Sequence, residues 1–429
     1  MKKSPLSRNI PLFIAFRVLF NARWYYPVLA VLFLDFGLSV EEYALLNVAW
    51  AAAIVGLEVP SGALADRFGR KCMVVLAAGL MVVEMTVFAF APLVHSKLLF
   101  IVFLLNRLLS GAAEASASGA DEALAYDSLA SEGRADEWPK VLERVMRWQA
   151  VAFFLTMIIG AAAYDERFVQ SILFACGIHW KVAPELAMRF PIYLTLGNAV
   201  LALWAALNMR EPRDPRMSSR SNRTTWRMTL ETGRRITHAP LAFGVILAGM
   251  CFDSVVRLFL TVASNYFRFI AVPEAAFGVI GSGFAVIGFL TPALARRLVG
   301  RWNISRNLAL VAALTLAGLL GVSRIWPIWG LLWLIPLAMA MSLTQFYVSY
   351  YLNRAVTDAR QRATVLSFRG LAFNLAYGGA GLLFAGLTRL LGKYNAPDEV
   401  FTKALGWLPW YFIVTAAGLA ICWKRLKLF

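Results

Sequence analysis

Cysteine is scarce. The 429 residues hold four, Cys72, Cys176, Cys251 and Cys422, too far apart for a disulfide framework or a thiolate metal cluster. The three histidines, His95, His179 and His238, are equally scattered, and no cofactor is implied. Charge is thin as well. Charged residues make up 16% of the chain, where a soluble domain carries about 25%. Acidic residues are the shorter set, 25 against 42 Lys and Arg, a formal net charge of +17. No Walker-type phosphate loop is present, so ATP is not the expected driving force. No nucleophile, base and orienter fall at motif spacing, which argues against an enzyme. No re-entrant filter repeat is visible, which argues against a channel. Together these absences exclude a disordered chain, an ordinary soluble enzyme and a disulfide-stapled secreted domain.

What fills the chain is apolar surface, 60% of residues with a mean hydropathy of +0.64. Segments of roughly 20 apolar residues recur, long enough to cross a hydrocarbon core of about 30 Å. The expected fold is therefore an all-α membrane protein with twelve spans. The first six are Leu12–Leu38, Tyr43–Ala65, Met73–Leu93, Leu98–Ala120, Trp148–Tyr164 and Pro191–Met209. The second six are Leu241–Ala263, Ala276–Ala295, Asn307–Val322, Ile328–Tyr351, Val365–Leu387 and Ala404–Cys422. Of the 42 basic residues, 28 fall on the side of the N-terminus, nine on the opposite side and five inside spans. Lys and Arg mark the cytoplasmic face, so both termini are expected there, in a cell inner membrane. The same bias explains the basic excess without nucleic acid. The polar stretch 210–240 divides the chain into 1–209 and 241–429, and its Arg-rich composition suits a linker that also meets anionic lipid. Outside the spans, 165–190 reads either as an ordinary loop or as a short interfacial helix anchored by Trp180 and Lys181, with Cys176 a free thiol.

Span two ends in Gly62-Ala63-Leu64-Ala65-Asp66-Arg67-Phe68-Gly69-Arg70-Lys71. Gly62 admits a close helix, Gly69 a turn that other residues resist, Asp66 a basic partner or a helix N-terminus, and Arg67, Arg70 and Lys71 hold the turn inside. This skeleton closely resembles the loop motif of the major facilitator superfamily of secondary transporters. Span four, Asn106-Arg107-Leu108-Leu109-Ser110-Gly111, resembles the pattern of proton-coupled members at Arg107 and Gly111. The runs Ser118–Leu129 and Arg362–Ser367 resemble bacterial members. Two departures stand out. Span five lacks the Gly-Pro motif of drug exporters, and Ala295–Arg301 is a decayed second copy of the loop with Arg296 where Asp66 would sit. The resemblance implies two six-helix bundles, a central cavity open alternately to either side, and a single chain as the working unit.

Ionisable residues at membrane depth face water, a partner or a solute. Arg23 either pairs with Glu58 or Glu114 and holds the bundle, or binds an anionic group in the cavity. Arg107, Glu114 and Asp121 recur every seven residues and are expected on one helix face. Asp253 and Arg257 form an i, i+4 pair that is either closed or a coupling device. The expected solute-contacting set is Arg23, Tyr25, Tyr26, Arg257, Tyr347 and Arg369. The expected proton-coupling set is Glu114, Asp253 and Arg107, and the gating set is Gly62, Asp66, Arg67, Gly69 and Arg70. No metal site is expected. Arginine outnumbers acid inside the spans, which favours a small organic anion or zwitterion as solute. The alternatives are a multidrug/proton antiporter for lipophilic cations and, in another class, a non-transporting sensor or lipid-flipping protein.

Overall fold

The computed structural model describes residues 8–93, 97–212, 239–355 and 359–425, and every regular element among them is helical. Most of the polar stretch 210–240 lies outside the described residues. The N-terminal elements are α1 (Asn9–Asn21), α2 (Leu29–Asp35), α3 (Val40–Phe68), α4 (Arg70–Ala89), α5 (Lys97–Ala117) and α6 (Ala120–Ser131). Then follow α7 (Trp138–Tyr164), α8 (Glu166–Ala175), α9 (Pro184–Ala187) and α10 (Phe190–Asn208). The C-terminal elements are α11 (Pro240–Phe269), α12 (Phe277–Val299), α13 (Ile304–Val322), α14 (Leu334–Ala355), α15 (Ala359–Gly392) and α16 (Pro397–Arg425).

Eleven helices among the described residues are long and apolar enough to cross a membrane. Their outward faces carry rings and aliphatic chains such as Phe289, Leu375 and Val414, all exposed, as a lipid-facing surface requires. This is a multi-pass integral membrane protein. The difference from twelve spans lies in Leu12–Leu38, which is not one helix. It splits into α1 and α2 around residues 22–28, and neither piece is long enough to span alone. A second difference is at Trp148–Tyr164, where the helix starts ten residues earlier and carries Lys140, Arg144 and Arg147 within α7.

The molecule divides into two compact units. The first is the N-terminal half without Ser39–Ala51 but with Glu274–Ser282, and the second is the C-terminal half with Ser39–Ala51. In the first unit α4 packs on α5 and α10, and α1 on α10 and α7; in the second, α11 packs on α14, α15 and α16. Asn9 fastens the start of α1, donating to Ser128 Oγ at 2.8 Å and to the Arg210 carbonyl at 2.7 Å. The segment after α7 is helical, as α8, with Asp165 accepting from the Phe168 amide at its N-cap. Phe168, Ile172, Phe174 and Trp180 are exposed there, and Cys176 is a free, exposed thiol.

Candidate functional site

The break in the first span is built by named partners. Proline at 27 cannot donate a backbone hydrogen bond, and in a continuous helix its ring would press on the carbonyl of Arg23. The chain therefore leaves the helix at Ala22 and re-enters through a 3-10 turn at Tyr26–Val28. Backbone groups freed inside a membrane need substitutes. The Trp24 amide donates to Thr195 Oγ1 at 3.0 Å, and Asn198 Nδ2 donates to the Ala22 carbonyl at 2.8 Å, both from α10. On the α7 side, a Cβ built at Gly160 would lie 1.8 Å from the Trp24 carbonyl oxygen, so only glycine fits.

The break delivers Arg23 into the interior of the first unit. Its guanidinium donates from Nη1 to both carboxylate oxygens of Glu84, at 2.8 and 3.0 Å, and lies 3.0 Å from the Tyr25 hydroxyl. Arg23 is 3% exposed and Glu84 0%. Arg23 thus pairs with neither Glu58 nor Glu114, and its charge is already matched. Glu84 escaped the reading of the sequence, although a lone acid in the middle of Met73–Leu93 is the signal that finds such partners. Asn106 adds a bond to the Glu84 carbonyl at 3.0 Å. Tyr25 is buried beside Arg23, and Tyr26 is the exposed ring of the two.

Arg107 is different. It is 5% exposed, its guanidinium lies 4.5 Å from the centre of the Phe33 ring, and its Nε and Nη2 have no hydrogen-bond partner among the described residues. Phe33 belongs to an aromatic cluster with Phe88 and Phe103. Glu114 lies seven residues on in the same helix, half-exposed, with no ion pair among the described residues. Asp121 does not continue that helix. Gly119 takes a positive φ of 72° and starts α6, where Asp121 and Glu122 hold Arg17 at 2.5 and 2.8 Å. The seven-residue stripe is therefore real for Arg107 and Glu114 and interrupted before Asp121.

In the second unit Asp253 and Arg257 of α11 are in contact, Asp253 fully buried and Arg257 25% exposed. Gln345 of α14 donates to Asp253 at 3.2 Å, and Arg257 donates to Asn374 of α15 at 2.8 Å. The Arg257 guanidinium also sits 5.1 Å from the Tyr377 ring. Arg369 lies 5.9 Å from the Phe373 ring and has no ion pair among the described residues. Tyr347 is fully buried, with its hydroxyl unpartnered among the described residues, while the stacked pair Phe346 and Tyr350 is half-exposed.

The loop motif forms the turn between α3 and α4. Gly69 has a φ of 94°, which favours glycine. The amides of Arg70 and Lys71 donate to the two oxygens of Glu211 at 3.0 and 2.7 Å, so a carboxylate caps the N-terminus of α4. Arg70 also holds Asp127 and the Ala123 carbonyl of α6. Arg67 is exposed against Phe68. Gly62 does not admit a close helix here, because a Cβ at that position meets no atom within 4 Å. The side chain of Asp66 lies outside the described residues.

Residues 12–381 match the model of a family described as the Major Facilitator Superfamily. No curated protein matches the chain by sequence. Among solved structures, the nucleoside transporter NupG is similar at a TM-score of 0.75 and 12% identity, covering 98% of this chain and 99% of that one. A bacterial homolog of the human lysosomal transporter Spinster, in an inward-facing and unoccupied conformation, gives 0.67 and 17%, covering 99% and 97%. A D-xylose–proton symporter gives 0.64 and 19%, covering 98% of each chain. At these identities the likeness is one of fold.

Proposed function

Because the chain belongs to the Major Facilitator Superfamily, a family of transporters rather than enzymes, we propose that it is a proton-coupled secondary transporter that moves a small organic anion or zwitterion by alternating access. Its twelve spans would form two six-helix bundles joined by 210–240, with both termini in the cytoplasm and one chain as the working unit. The proton-coupled sugar symporter of the same fold is consistent with this coupling.

The observation that carries the reading is the state of the carboxyl groups. A proton carrier must gain and lose charge without unmaking the fold. Glu84 is consumed by Arg23, Asp253 by Arg257 and Gln345, and Asp35 by Tyr164. Glu114 is half-exposed, without an ion pair among the described residues, and two turns from Arg107. Glu58 of α3 is likewise half-exposed and without an ion pair among the described residues, but Glu114 is the one that shares a helix with Arg107, and the proton is assigned to it. The solute's charge follows from the same ledger. Once internal pairs are removed, Arg107 and Arg369 remain as in-span cations without an ion pair among the described residues, and Arg257 keeps an accessible edge beside Asn374 and Gln345. These groups suit a carboxylate or phosphate.

The test begins with a thermal-shift ligand screen of organic anions, zwitterions and lipophilic cations at about pH 6 and pH 8, since a bound ligand raises apparent stability. Anion hits lost in Arg107→Gln support the reading. Cation hits that strengthen at high pH turn it to multidrug export. With a solute in hand, Glu114→Gln should abolish pH-driven flux in vesicles while counterflow without a proton gradient persists. Unchanged pH-driven flux ends the role assigned to Glu114.

A further inference from the structure

The early turns of α7 line a cavity apart from the residues assigned to the solute and the proton. Lys140, Glu143, Arg144, Arg147, Trp148 and Val151 line a cavity of about 440 Å³. Their spacing of three and four residues places them on one helix face. The face is cationic at its start. Glu143 is engaged with Arg147 at 2.5 Å, which leaves Lys140 and Arg144 without an ion pair among the described residues. Both are exposed, as is the Arg147–Glu143 pair.

Further along the same face the chemistry changes. Trp148 is exposed, then Val151, then Phe154 and Leu155, all large and unburied. Within roughly four turns the surface passes from ammonium and guanidinium groups, through an indole, to aliphatic and aromatic side chains. Tryptophan favours the headgroup level of a bilayer, and basic pockets at membrane helix ends bind anionic headgroups. A free anion would use the cations and leave the indole and apolar turns idle. A lipid uses all of them. A zwitterionic lipid brings its own amine to compete with Lys140 and Arg144, so a net-anionic lipid fits better.

We propose that this face of α7 binds one anionic phospholipid, with its phosphodiester against Lys140 and Arg144, its glycerol beside Trp148 and its acyl chains along Val151, Phe154 and Leu155. Glu143 weakens the site by occupying Arg147, the third cation of the cavity.

The experiment uses the delipidated full chain in detergent, with apparent stability followed during titration of phosphatidylglycerol, phosphatidylcholine or inorganic phosphate. Phosphatidylglycerol should stabilise the wild type at lower concentration than phosphatidylcholine, and inorganic phosphate should have no effect in the same range. The double variant Lys140→Gln/Arg144→Gln should require roughly thirty-fold more phosphatidylglycerol, the loss expected for two surface cations. Glu143→Gln should tighten the response by freeing Arg147, a gain that misfolding does not mimic. Equal potency of the two lipids, an undiminished response in the double variant, or no gain in Glu143→Gln overturns the proposal. A stabilisation reproduced by inorganic phosphate and lost in the double variant identifies a free-anion site and overturns it too.

Discussion

Replacing Glu84 by Gln strands the Arg23 guanidinium in a pocket where it is only 3% exposed. The amide still offers one oxygen, but the charge that offset desolvation is gone. Removing one partner of a buried ion pair costs about 3–5 kcal/mol, whereas replacing both by apolar groups of similar volume is often neutral or stabilising. Glu84→Gln, Glu84→Met and Arg23→Met should each fall in that range, and the double variant Arg23→Met/Glu84→Met should recover most of it, giving a coupling energy of more than about 2 kcal/mol in the cycle with its two Met singles. If one unit of roughly 200 residues melts by itself, its unfolding entropy is about 0.4 kcal/mol/K, so the single variants should melt roughly 7–12 °C lower. The assay is thermal unfolding of the detergent-purified chain, run on wild type, the three singles and the double. A free cavity arginine makes the opposite forecast, in which Arg23→Met loses ligand and keeps its melting temperature. A Glu84→Gln variant within about 1 °C of wild type, or a double variant as unstable as its two Met singles summed, would refute the pairing argument.

Two further outcomes follow from the packing. Gly160→Ala should destabilise by several kcal/mol as a rough guide, since its Cβ would meet the Trp24 carbonyl at 1.8 Å and backbone cannot yield as a side chain does. Gly197→Ala, where a Cβ meets nothing within 4 Å, should be neutral or gain up to about 1 kcal/mol from helix propensity, and the two melting curves compared side by side check the contrast. Glu211→Gln should cost roughly 1 kcal/mol by weakening the cap on α4 and should speed hydrogen exchange at the Arg70 and Lys71 amides; protection unchanged at those two amides counts against the cap.

The features that depend on composition and local spacing were readable from the chain. Runs of apolar residues announced helices that cross a membrane, and Gly69 announced the turn, because a positive φ is a property of one residue. The i, i+4 spacing announced the contact of Asp253 with Arg257. What depends on neighbours in space was not readable. Arg23 and Glu84 are 61 positions apart, and only the packing of α4 beside the first span brings them together. Glu211 meets the Lys71 amide from 140 positions away, so the anion at the start of α4 comes from the far end of the unit and not from the motif itself. Tyr25, Tyr26 and Tyr347 are all expected against the solute from the sequence, yet Tyr25 and Tyr347 are buried, Tyr26 is exposed, and Phe346 and Tyr350 are half-exposed beside Tyr347.

The interrupted first span contains Pro27, and two accounts of the break make different forecasts. If proline alone imposes it, Thr195 and Asn198 merely accommodate an exposed backbone. If the break is held in place by its partners, those side chains are part of it. Thr195→Val keeps the volume and removes the acceptor for the Trp24 amide, leaving a part-buried N–H unsatisfied at a cost of about 1–3 kcal/mol. Pro27→Ala restores the missing donor and relieves the ring, so a continuous helix through residues 22–28 becomes available. In that helix the Trp24 amide finds an intrahelical carbonyl and no longer needs Thr195. Thr195→Val should therefore be destabilising in the wild type and nearly silent in Pro27→Ala if the span straightens, and equally destabilising in both if Gly160, Arg23–Glu84 and Asn198 hold the break without proline. The second outcome is the one expected here, because a straight helix would withdraw Arg23 from Glu84 and leave that acid buried and alone. Loss of the Thr195 effect in the Pro27→Ala background would show that the buried ion pair is weaker than one proline.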